Sequence, residues 1–565
     1  MRKMTPDLIL HGGRIRTLGP ANPDPGGEAL AVAGDRIVAI GADRDVLRGR
    51  GPGTRLIDLR GRTVLPGFTD AHTHPISGGL RHLECDLDRF DTADDHLAAV
   101  AAYAAAHPDR AWIVGDGWSM ETFPGGIPRR ELLDAIIPDR PVFLTNRDGH
   151  GAWVNSRALE LAGITSSTPD PAFGRIERDP DGTPVGMLQE GAIYLVSRLI
   201  PRHDSATLER AIRDAQAELH ALGITGWQDA NVDPQRVAAY RAVAESGALT
   251  ARVVLAMGAS ELDAFGGIDG LVAIREAVRA AAATATAARP GTPGPTRLAA
   301  TSIKFFVDGV LENRTGALLE PYLDADDNPT GGTGISNFEP AELNRLAVAL
   351  DALGFQLHYH AIGDRAVRDA LNAIEAARRA NGVRDGRHHI AHIQLIHPDD
   401  LPRFAALNTV ANAQPLWAVH EAQMDKLTLP LLGPERSGWQ YPFASLLRAG
   451  ARLAFGSDWT VSTADPFPQI EVAVRRVWPD SPNAAPFLPD ERISLDEALR
   501  AATVGSAFVN GQDEAGWLGI GRLADLVVLD RDIDAQDADP IGDTTVVATM
   551  VGGDVVFEAP TLEVA

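Results

Sequence analysis

Hydrophobic residues in the middle of the chain follow two patterns that alternate along the sequence. Short apolar runs are separated by longer amphipathic segments, such as "LERAIRDAQAELHAL", "LNRLAVALDAL" and "RAVRDALNAIEAARRA". In these segments apolar residues recur at intervals of three and four, which predicts helices that pack one face on a core. The segment "SLDEALRAATVGSAF" opens with Ser494 and Glu497 at the spacing of a capping box and predicts a further helix.

The short apolar runs are candidate β-strands. Strands that alternate with helices predict parallel βα units. The sequence has eight such runs, which favours a (β/α)₈ TIM barrel over an open sheet. The candidate strands cover residues 67–72, 224–230, 251–257, 302–308, 355–361, 388–394, 408–414 and 451–458.

Both ends of the chain show a third pattern, of short strands broken by glycine turns. Examples are "DLILHGGRIRTL" near the start and "VVATMVGGDVVFE" near the end. Two separate β appendages would each leave an apolar face uncovered, whereas one shared sandwich would not. We therefore predict a small β-sandwich domain built from both termini, residues 1–65 plus 515–565, beside a barrel of residues 66–514.

Residues 80–205 separate the first two candidate barrel strands, which is far more chain than a crossover needs. This segment contains strand-like runs of its own, "RAWIVGDGW" and "RPVFLTNRDG". We predict that it forms an inserted α+β subdomain over the mouth of the barrel.

Composition and charge narrow the classes of partner. Hydrophobic residues make up 45% of the 565 residues and charged residues 23%, which is typical of a globular protein. The net charge of −24 argues against nucleic acid or an anionic membrane as a partner. Cys85 is the only cysteine, and the first residues lack the apolar core of a signal peptide, so we expect a cytoplasmic enzyme. The sequence does not decide whether the protein forms a homo-oligomer.

Polar residues that are costly to bury recur at the ends of the candidate strands. His72 and His74 are two apart, so at the end of a strand both imidazoles point the same way and could hold a metal ion. A core histidine, a helix cap or a buried ion pair would explain any one such residue. The active sites of these barrels lie at the carboxyl ends of the strands, and one metal centre there explains the whole set. The other members are Lys304, Asp308, His360, His392 and Asp458.

Several motifs resemble those of the amidohydrolase superfamily of metal-dependent hydrolases, namely "PGFTDAHTHP", "HAIGDRA", "FGSDW" and "GRLADLVVLDRD". The motifs "RDGHGAWVNSRAL" and "IKFFVDGVL" narrow the resemblance to the amidohydrolase-3 branch, which contains YtcJ-like proteins and N-substituted formamide deformylases. The resemblance covers nearly the whole chain. It is specific for the fold and the metal chemistry but not for the substrate.

The resemblance implies a site with two divalent metal ions. His72 and His74 would bind one ion together with Asp458, and His360 and His392 would bind the other. Lys304 stands where related enzymes carry a lysine that CO₂ has carboxylated, whose two oxygens bridge the ions. Zinc is the first choice for these ligands, and iron or manganese also fit. Asp458 would accept a proton from the metal-activated water and pass it to the leaving amine.

Other residues are candidates for substrate binding. His150 could orient or polarise the substrate from the insertion, or it could stabilise a turn. Trp118, Trp153 and Trp417 could line the pocket, or they could pack in a core.

These inferences lead to an expected reaction, the hydrolysis of a C–N amide bond in a small N-substituted formamide or related N-acyl amide. Two alternatives stay open. A deaminase acting on an aminated heterocycle commonly uses one metal and lacks the bridging lysine. A non-catalytic scaffold would have lost its ligands, but every expected ligand type is present.

Overall fold

The computed structural model describes residues 5–20, 26–287, 297–534 and 540–560. Its central sheet has eight parallel strands, each hydrogen-bonded to the next in chain order. The predicted barrel is confirmed, although the fourth strand begins four residues earlier than predicted and the eighth ends three residues earlier. The strands are β1 (Phe68–Thr73), β2 (Ile224–Val232), β3 (Arg252–Gly258), β4 (Leu298–Phe306), β5 (Gln356–Ala361), β6 (His389–His392), β7 (Val410–Ala413) and β8 (Arg452–Phe455).

The ends of this sheet meet where the segment after β8 bonds to β1. The Asp458 amide donates to the His72 carbonyl at 2.8 Å, and the His74 amide donates to the Trp459 carbonyl at 2.6 Å. Gly456 permits the close approach, because a Cβ there would lie 2.6 Å from the Cβ of His72. The seam therefore places Asp458, which follows β8, beside His72 and His74 at the end of β1.

Helices follow the strands and pack around the barrel through the predicted apolar faces. The capping box is present, since Ser494 Oγ accepts from the Glu497 amide at 3.2 Å and Glu497 Oε2 accepts from the Ser494 amide at 2.7 Å. No helix in the described parts of the chain combines the length and the apolar character that crossing a membrane requires. The longer helices are Ser205–Ala221, Pro234–Glu245, Gly267–Ala287, Pro340–Ala352, Asp364–Asn381, Leu401–Leu407, Leu429–Ser437, Phe443–Arg448, Pro466–Arg475 and Leu495–Arg500.

Both ends of the chain contribute to the sandwich. One of its two sheets contains only N-terminal strands, Leu8–His11, Ala29–Ala33, Arg36–Gly41 and Arg55–Asp58. The other sheet joins strands from the two ends, and Leu10, Val32, Val528 and Met550 belong to the apolar cluster between the sheets. This part of the predicted fold class is confirmed, while the exact domain boundaries stay a prediction. The second sheet contains Arg14–Ile15, Thr63–Pro66, Leu526–Leu529, Val546–Val551 and Asp554–Glu558.

The long insertion forms a mixed six-stranded sheet flanked by helices, as predicted. Its helices include Ala93–Ala106, Arg130–Asp134 and Ser156–Ala162. Its strands are Cys85–Asp86, Ile113–Trp118, Val142–Asn146, Gly151–Val154, Gly174–Arg178 and Pro184–Glu190.

A buried ion pair joins the barrel to the sandwich. Arg252 of β3 donates from Nε and Nη2 to the two carboxylate oxygens of Asp525, at 2.6 and 2.9 Å. Asp525 directly precedes a strand of the second sheet, and its Oδ1 also accepts from the Gly552 amide at 2.6 Å. Because both side chains are excluded from water, the opposite charge of each offsets the cost of burying the other.

Replacing Asp525 with alanine would leave the Arg252 guanidinium buried without its counter-ion. We expect the free energy of unfolding to fall by about 3–5 kcal/mol, which denaturant unfolding followed by circular dichroism measures. The matched control is Asp45→Ala, which removes the partner of the exposed Arg48 and should cost no more than about 1 kcal/mol. Equal losses in the two variants would contradict the role given to the buried pair.

Candidate metal centre

The strand-end histidines of β1 converge on one carboxylate oxygen. His72 Nε2 lies 3.2 Å and His74 Nε2 lies 3.1 Å from Asp458 Oδ1. One ligand atom from each of the three residues lies within 4.8 Å of the others. Two imidazole nitrogens and a carboxylate oxygen in this arrangement fit a divalent ion such as zinc.

His360 and His392 lie beside this group. Their ring centroids are 4.4 Å apart, and that of His392 is 4.7 Å from that of His72. His392 Nδ1 is buried, has no hydrogen-bond partner among the described residues and lies 4.0 Å from Asp458 Oδ2. His360 Nε2 lies 3.3 Å from the Gly309 carbonyl, which leaves Nδ1 as its available nitrogen. Buried nitrogens without partners suit ligand positions, because native proteins rarely leave such atoms unsatisfied.

Lys304 extends from β4 into the same group and is 1% exposed. Its Nζ lies 3.3 Å from His72 Nε2 and 4.7 Å from the centre of the Phe306 ring. Among the described residues, no carboxylate lies within ion-pair distance of Nζ, so the alternative of a barrel ion pair is not what the structure contains. Burial lowers the pKa of Lys304 to about 7 although Asp458 opposes the change, and a neutral amine is the form that reacts with CO₂.

The protonation states of the cluster suit metal ligation. Burial, with Lys304 adding to it, lowers the pKa of His72 to about 3. Burial also holds the pKa values of His360 and His392 well below the usual range. Burial acts to raise the pKa of Asp458, but His72 and its neighbours outweigh it and the net pKa is well below normal. Neutral imidazoles and an ionised carboxylate are the forms that bind metals.

His392 and Asp458 have positive φ angles, which residues other than glycine seldom adopt. His392 has φ of 76° and Asp458 has φ of 53°, and the β-branched Ile393 has φ of 44°. Each such residue costs about 1–3 kcal/mol and persists only where its surroundings hold it. The His392 amide donates to Gln414 Oε1 at 2.8 Å and the Ile393 amide donates to the Ala361 carbonyl at 3.0 Å. Strain of this kind clusters at functional sites.

The structure adds two residues that the sequence analysis did not select. His358 Nε2 lies 2.9 Å from His72 Nδ1, on the side of the ring opposite the cluster. If His72 Nε2 is a ligand, Nδ1 carries the hydrogen, and His358 accepts it and holds the ring in place. Asp70 accepts from the His72 amide at 3.0 Å, from the Ser457 amide at 3.0 Å and from the Ser457 hydroxyl at 2.5 Å. The sequence signal was there, because Asp70 and His358 each lie two residues before a selected histidine on the same strand.

Asp308, the other strand-end residue, organises the loop that follows β5. Its carboxylate accepts from the amides of Ala317, Ile362 and Gly363 at 2.8–3.0 Å. Asp308 Oδ1 also lies 3.6 Å from His360 Nε2.

A cavity of about 350 Å³ opens onto this cluster. His150 reaches the cavity from the insertion, and its Nδ1 lies 2.9 Å from Glu190 Oε2. Burial opposes protonation of His150, but Glu190 outweighs it and raises the pKa of His150 to about 9. The lining residues are Asp88, Arg147, Asp148, His150, Val310, Glu312, His360, Ile362, His392, Gln394, Leu416, Trp417, Glu421, Gln423, Met424, Tyr441, Asp458, Val461, Ser462, Thr463 and Trp478.

The three tryptophans selected from the sequence lie in different places. Trp417 lines the cavity and stacks on His392, with ring centroids 5.4 Å apart and planes 15° apart. Trp118 and Trp153 are not among the residues that line this cavity, and their predicted contact with substrate is not part of the geometry described here. Both are fully buried in the core of the insertion, where their indole nitrogens donate to the carbonyls of Leu144 and Arg129.

Comparisons with known proteins agree with this architecture. The model of the amidohydrolase family Amidohydro_3 matches residues 55–557. Protein LONG AFTER FAR-RED 3 of Arabidopsis thaliana is 30% identical, over 97% of this chain and 91% of its own length. The N-substituted formamide deformylase of Arthrobacter pascens is 28% identical, over 93% of this chain and 94% of its own.

Solved structures agree as well. An uncharacterized metal-dependent hydrolase from Pyrococcus horikoshii OT3 superposes with a TM-score of 0.70 and 26% sequence identity, over 93% of this chain and 97% of that one. The family resemblance predicted from the motifs is thus confirmed. The chain belongs to the amidohydrolase family of metal-dependent hydrolases.

Proposed function

We propose that the protein hydrolyses the C–N amide bond of a small molecule, an N-substituted formamide or a related N-acyl amide. In this reaction the C–N bond breaks, the oxygen of water bonds to the carbonyl carbon, and a proton from water leaves with the amine. The observation that carries the proposal is the convergence of His72 and His74 on Asp458, which lines a cavity of about 350 Å³. The similarity to an N-substituted formamide deformylase supports the substrate class.

We propose that the cluster binds two divalent ions, with zinc as the first choice. His72, His74 and Asp458 would hold one ion, and His360 and His392 would hold the other. Lys304, carboxylated by CO₂, would contribute to both, which its burial and its 3.3 Å distance to His72 Nε2 support. Bound ions of this kind supply a Lewis acid and an activated water.

Asp458 is the proposed proton carrier. Its carboxylate is ionised, and the hydrogen bond between its amide and the His72 carbonyl holds its backbone in place. It can take a proton from the attacking water and give it to the amide nitrogen, which leaves poorly when unprotonated.

His150 is the proposed donor to the substrate carbonyl. Glu190 accepts at Nδ1, so Nε2 is the nitrogen that can donate to a bound substrate. A donor placed where negative charge develops stabilises the transition state. Glu190 is itself held by Thr315 Oγ1, which donates to Glu190 Oε1 at 2.7 Å, and acts as a positioning residue for His150.

A cytoplasmic location is also proposed, because the single buried cysteine, Cys85, suits a reducing compartment. The partner we expect there is a small-molecule substrate.

The purified protein should contain close to two divalent ions per chain by elemental analysis. Replacing His360 with alanine should lower that number, because the second ion loses an imidazole ligand. The control is His397→Ala, which removes a histidine outside the cluster. A full complement of metal in the His360 variant would count against the assignment.

Carboxylation of Lys304 can be tested without an activity assay, because the chain has only two other lysines, Lys3 and Lys426. With ¹³C-labelled bicarbonate, nuclear magnetic resonance should detect one carbamate carbon, which Lys304→Ala removes and Lys426→Ala retains. Lys304→Ala should also be nearly inactive and be partly rescued by short carboxylic acids, which replace the lost oxygens. A carbamate signal that persists in Lys304→Ala would contradict the carboxylation of Lys304 and its role as a bridge between the ions.

Asp458→Asn keeps a ligand oxygen but cannot carry the proton. We expect turnover to fall at least ~10²-fold while much of the metal stays bound. The measurement is amine release from a series of formamides and acetamides, with esters and aminopyrimidines as controls. If the enzyme hydrolyses the esters or the aminopyrimidines but none of the amides, the amidase assignment is wrong and an esterase or a deaminase is favoured.

A further inference from the structure

The wall of the cavity beyond the metal centre is acidic. Asp88, Asp148, Glu312 and Glu421 line it, and Arg147 is the only lysine or arginine among the lining residues. Arg147 is already engaged, since its Nε lies 3.2 Å from Asp88 Oδ1 and its Nη2 donates to Ser119 Oγ at 2.6 Å. Asp148, Glu312 and Glu421 therefore have no lysine or arginine partner, and the protonated imidazole of His150 is the cationic side chain that acts on Asp148 and Glu312.

The contacts of these three carboxylates are with neutral groups. Asp148 accepts from the His150 amide at 2.9 Å, and Glu312 accepts from the Thr428 hydroxyl at 2.5 Å. The carboxylate of Glu421 has no hydrogen bond or ion pair with any described residue. Within the described chain, no lysine or arginine nitrogen lies within 4 Å of any of the three.

Such an arrangement is unfavourable for the protein alone. Burial raises the pKa of Glu421 to about 7, and Glu121, Glu312 and Asp425 add to the effect while Arg147 opposes it. Burial likewise raises the pKa of Asp148 to about 6. Carboxylates withdrawn from water without a counter-ion lower stability, and a bound cation would relieve that cost.

The rest of the wall suits an apolar chain. Trp417, Leu416, Met424 and Trp478 line the same cavity. Indole rings and thioether groups accommodate methylene groups, and an indole face also attracts a cation. The cavity thus joins a reaction centre, an apolar passage and an anionic region.

We propose that the amide substrate carries a cationic group, a primary ammonium or a guanidinium, on its amine part. This inference rests on the proposed amide hydrolysis. The cation lies against Glu421 and Glu312, the methylene chain lies against the tryptophans, and the amide reaches Asp458. Glu421 and Glu312 are then residues that determine substrate specificity.

The test compares two formamides of the same length, N-(5-aminopentyl)formamide, which is cationic, and N-hexylformamide, which is neutral. With the metal-loaded enzyme, kcat/KM should favour the cationic compound by at least about tenfold, the scale of a desolvated charge pair. Glu421→Gln and Glu312→Gln should each reduce this ratio severalfold or more. The matched control is Glu435→Gln, the same charge change at an exposed glutamate outside the cavity, and it should keep the ratio.

A second readout separates binding from a structural role. Glu421→Gln removes an uncompensated buried charge, so its melting temperature at pH 8 should equal or exceed that of the wild type. A lower melting temperature together with an unchanged ratio would assign Glu421 to the structure and overturn the proposal.

The design also distinguishes failure of the cation site from failure of the reaction. If both formamides are hydrolysed equally well and neither variant changes the ratio, the cation site is wrong and the amidase stands. If neither is hydrolysed, the proposed reaction fails, and calorimetric binding of the two compounds to the metal-loaded protein decides the cation site. Equal binding would overturn it, and tighter binding of the cation that Glu421→Gln abolishes would support it.

Discussion

The hydrogen bonds at the seam between β1 and the segment after β8 determine where Asp458 lies relative to His72 and His74 in the candidate metal centre. His72 and Asp458 are nearly 400 residues apart in sequence, and the bond from the Asp458 amide to the His72 carbonyl makes them neighbours. Asp70 strengthens the seam by accepting three hydrogen bonds, two of them from Ser457. Asp458, with its φ of 53°, makes one of these seam bonds, so the contact that closes the sheet also completes the group of His72, His74 and Asp458.

Much of the barrel and of the site could be predicted from local pattern alone. The period of two along β1 identifies His72 and His74, and the order of strands and helices predicts which ends share a face. Local pattern does not predict the seam, because it depends on residues far apart in sequence. It also does not separate Trp417 from Trp118, since an indole is equally suited to a pocket and to a core until its neighbours are known. Strand-end position does not identify His358, because it lies two residues before His360 on β5 and contacts the far side of the His72 ring.

The electrostatics of the cavity follow from the distribution of basic residues. The chain has three lysines, and the one in the barrel lies among histidines and not against a carboxylate. Arg147, the arginine that lines the cavity, forms an ion pair with Asp88. Of the acidic side chains in the cavity wall, Asp88 pairs with Arg147, Asp148 and Glu312 lie in the field of the protonated His150, and Glu421 has no ion-pair partner among the described residues.

The shared sandwich has a consequence for how the chain folds during synthesis. The four strands of the first sheet are synthesised before the barrel, whereas Leu526–Leu529 and Val546–Val551, which complete the opposing sheet, are synthesised after it. Until then the apolar side of the first sheet lacks the larger part of its opposing sheet, and exposed apolar surfaces promote association between chains. The sandwich can therefore be completed only after these later strands are synthesised, and chaperones that shield nascent apolar surface can act on the first sheet while the barrel is being made.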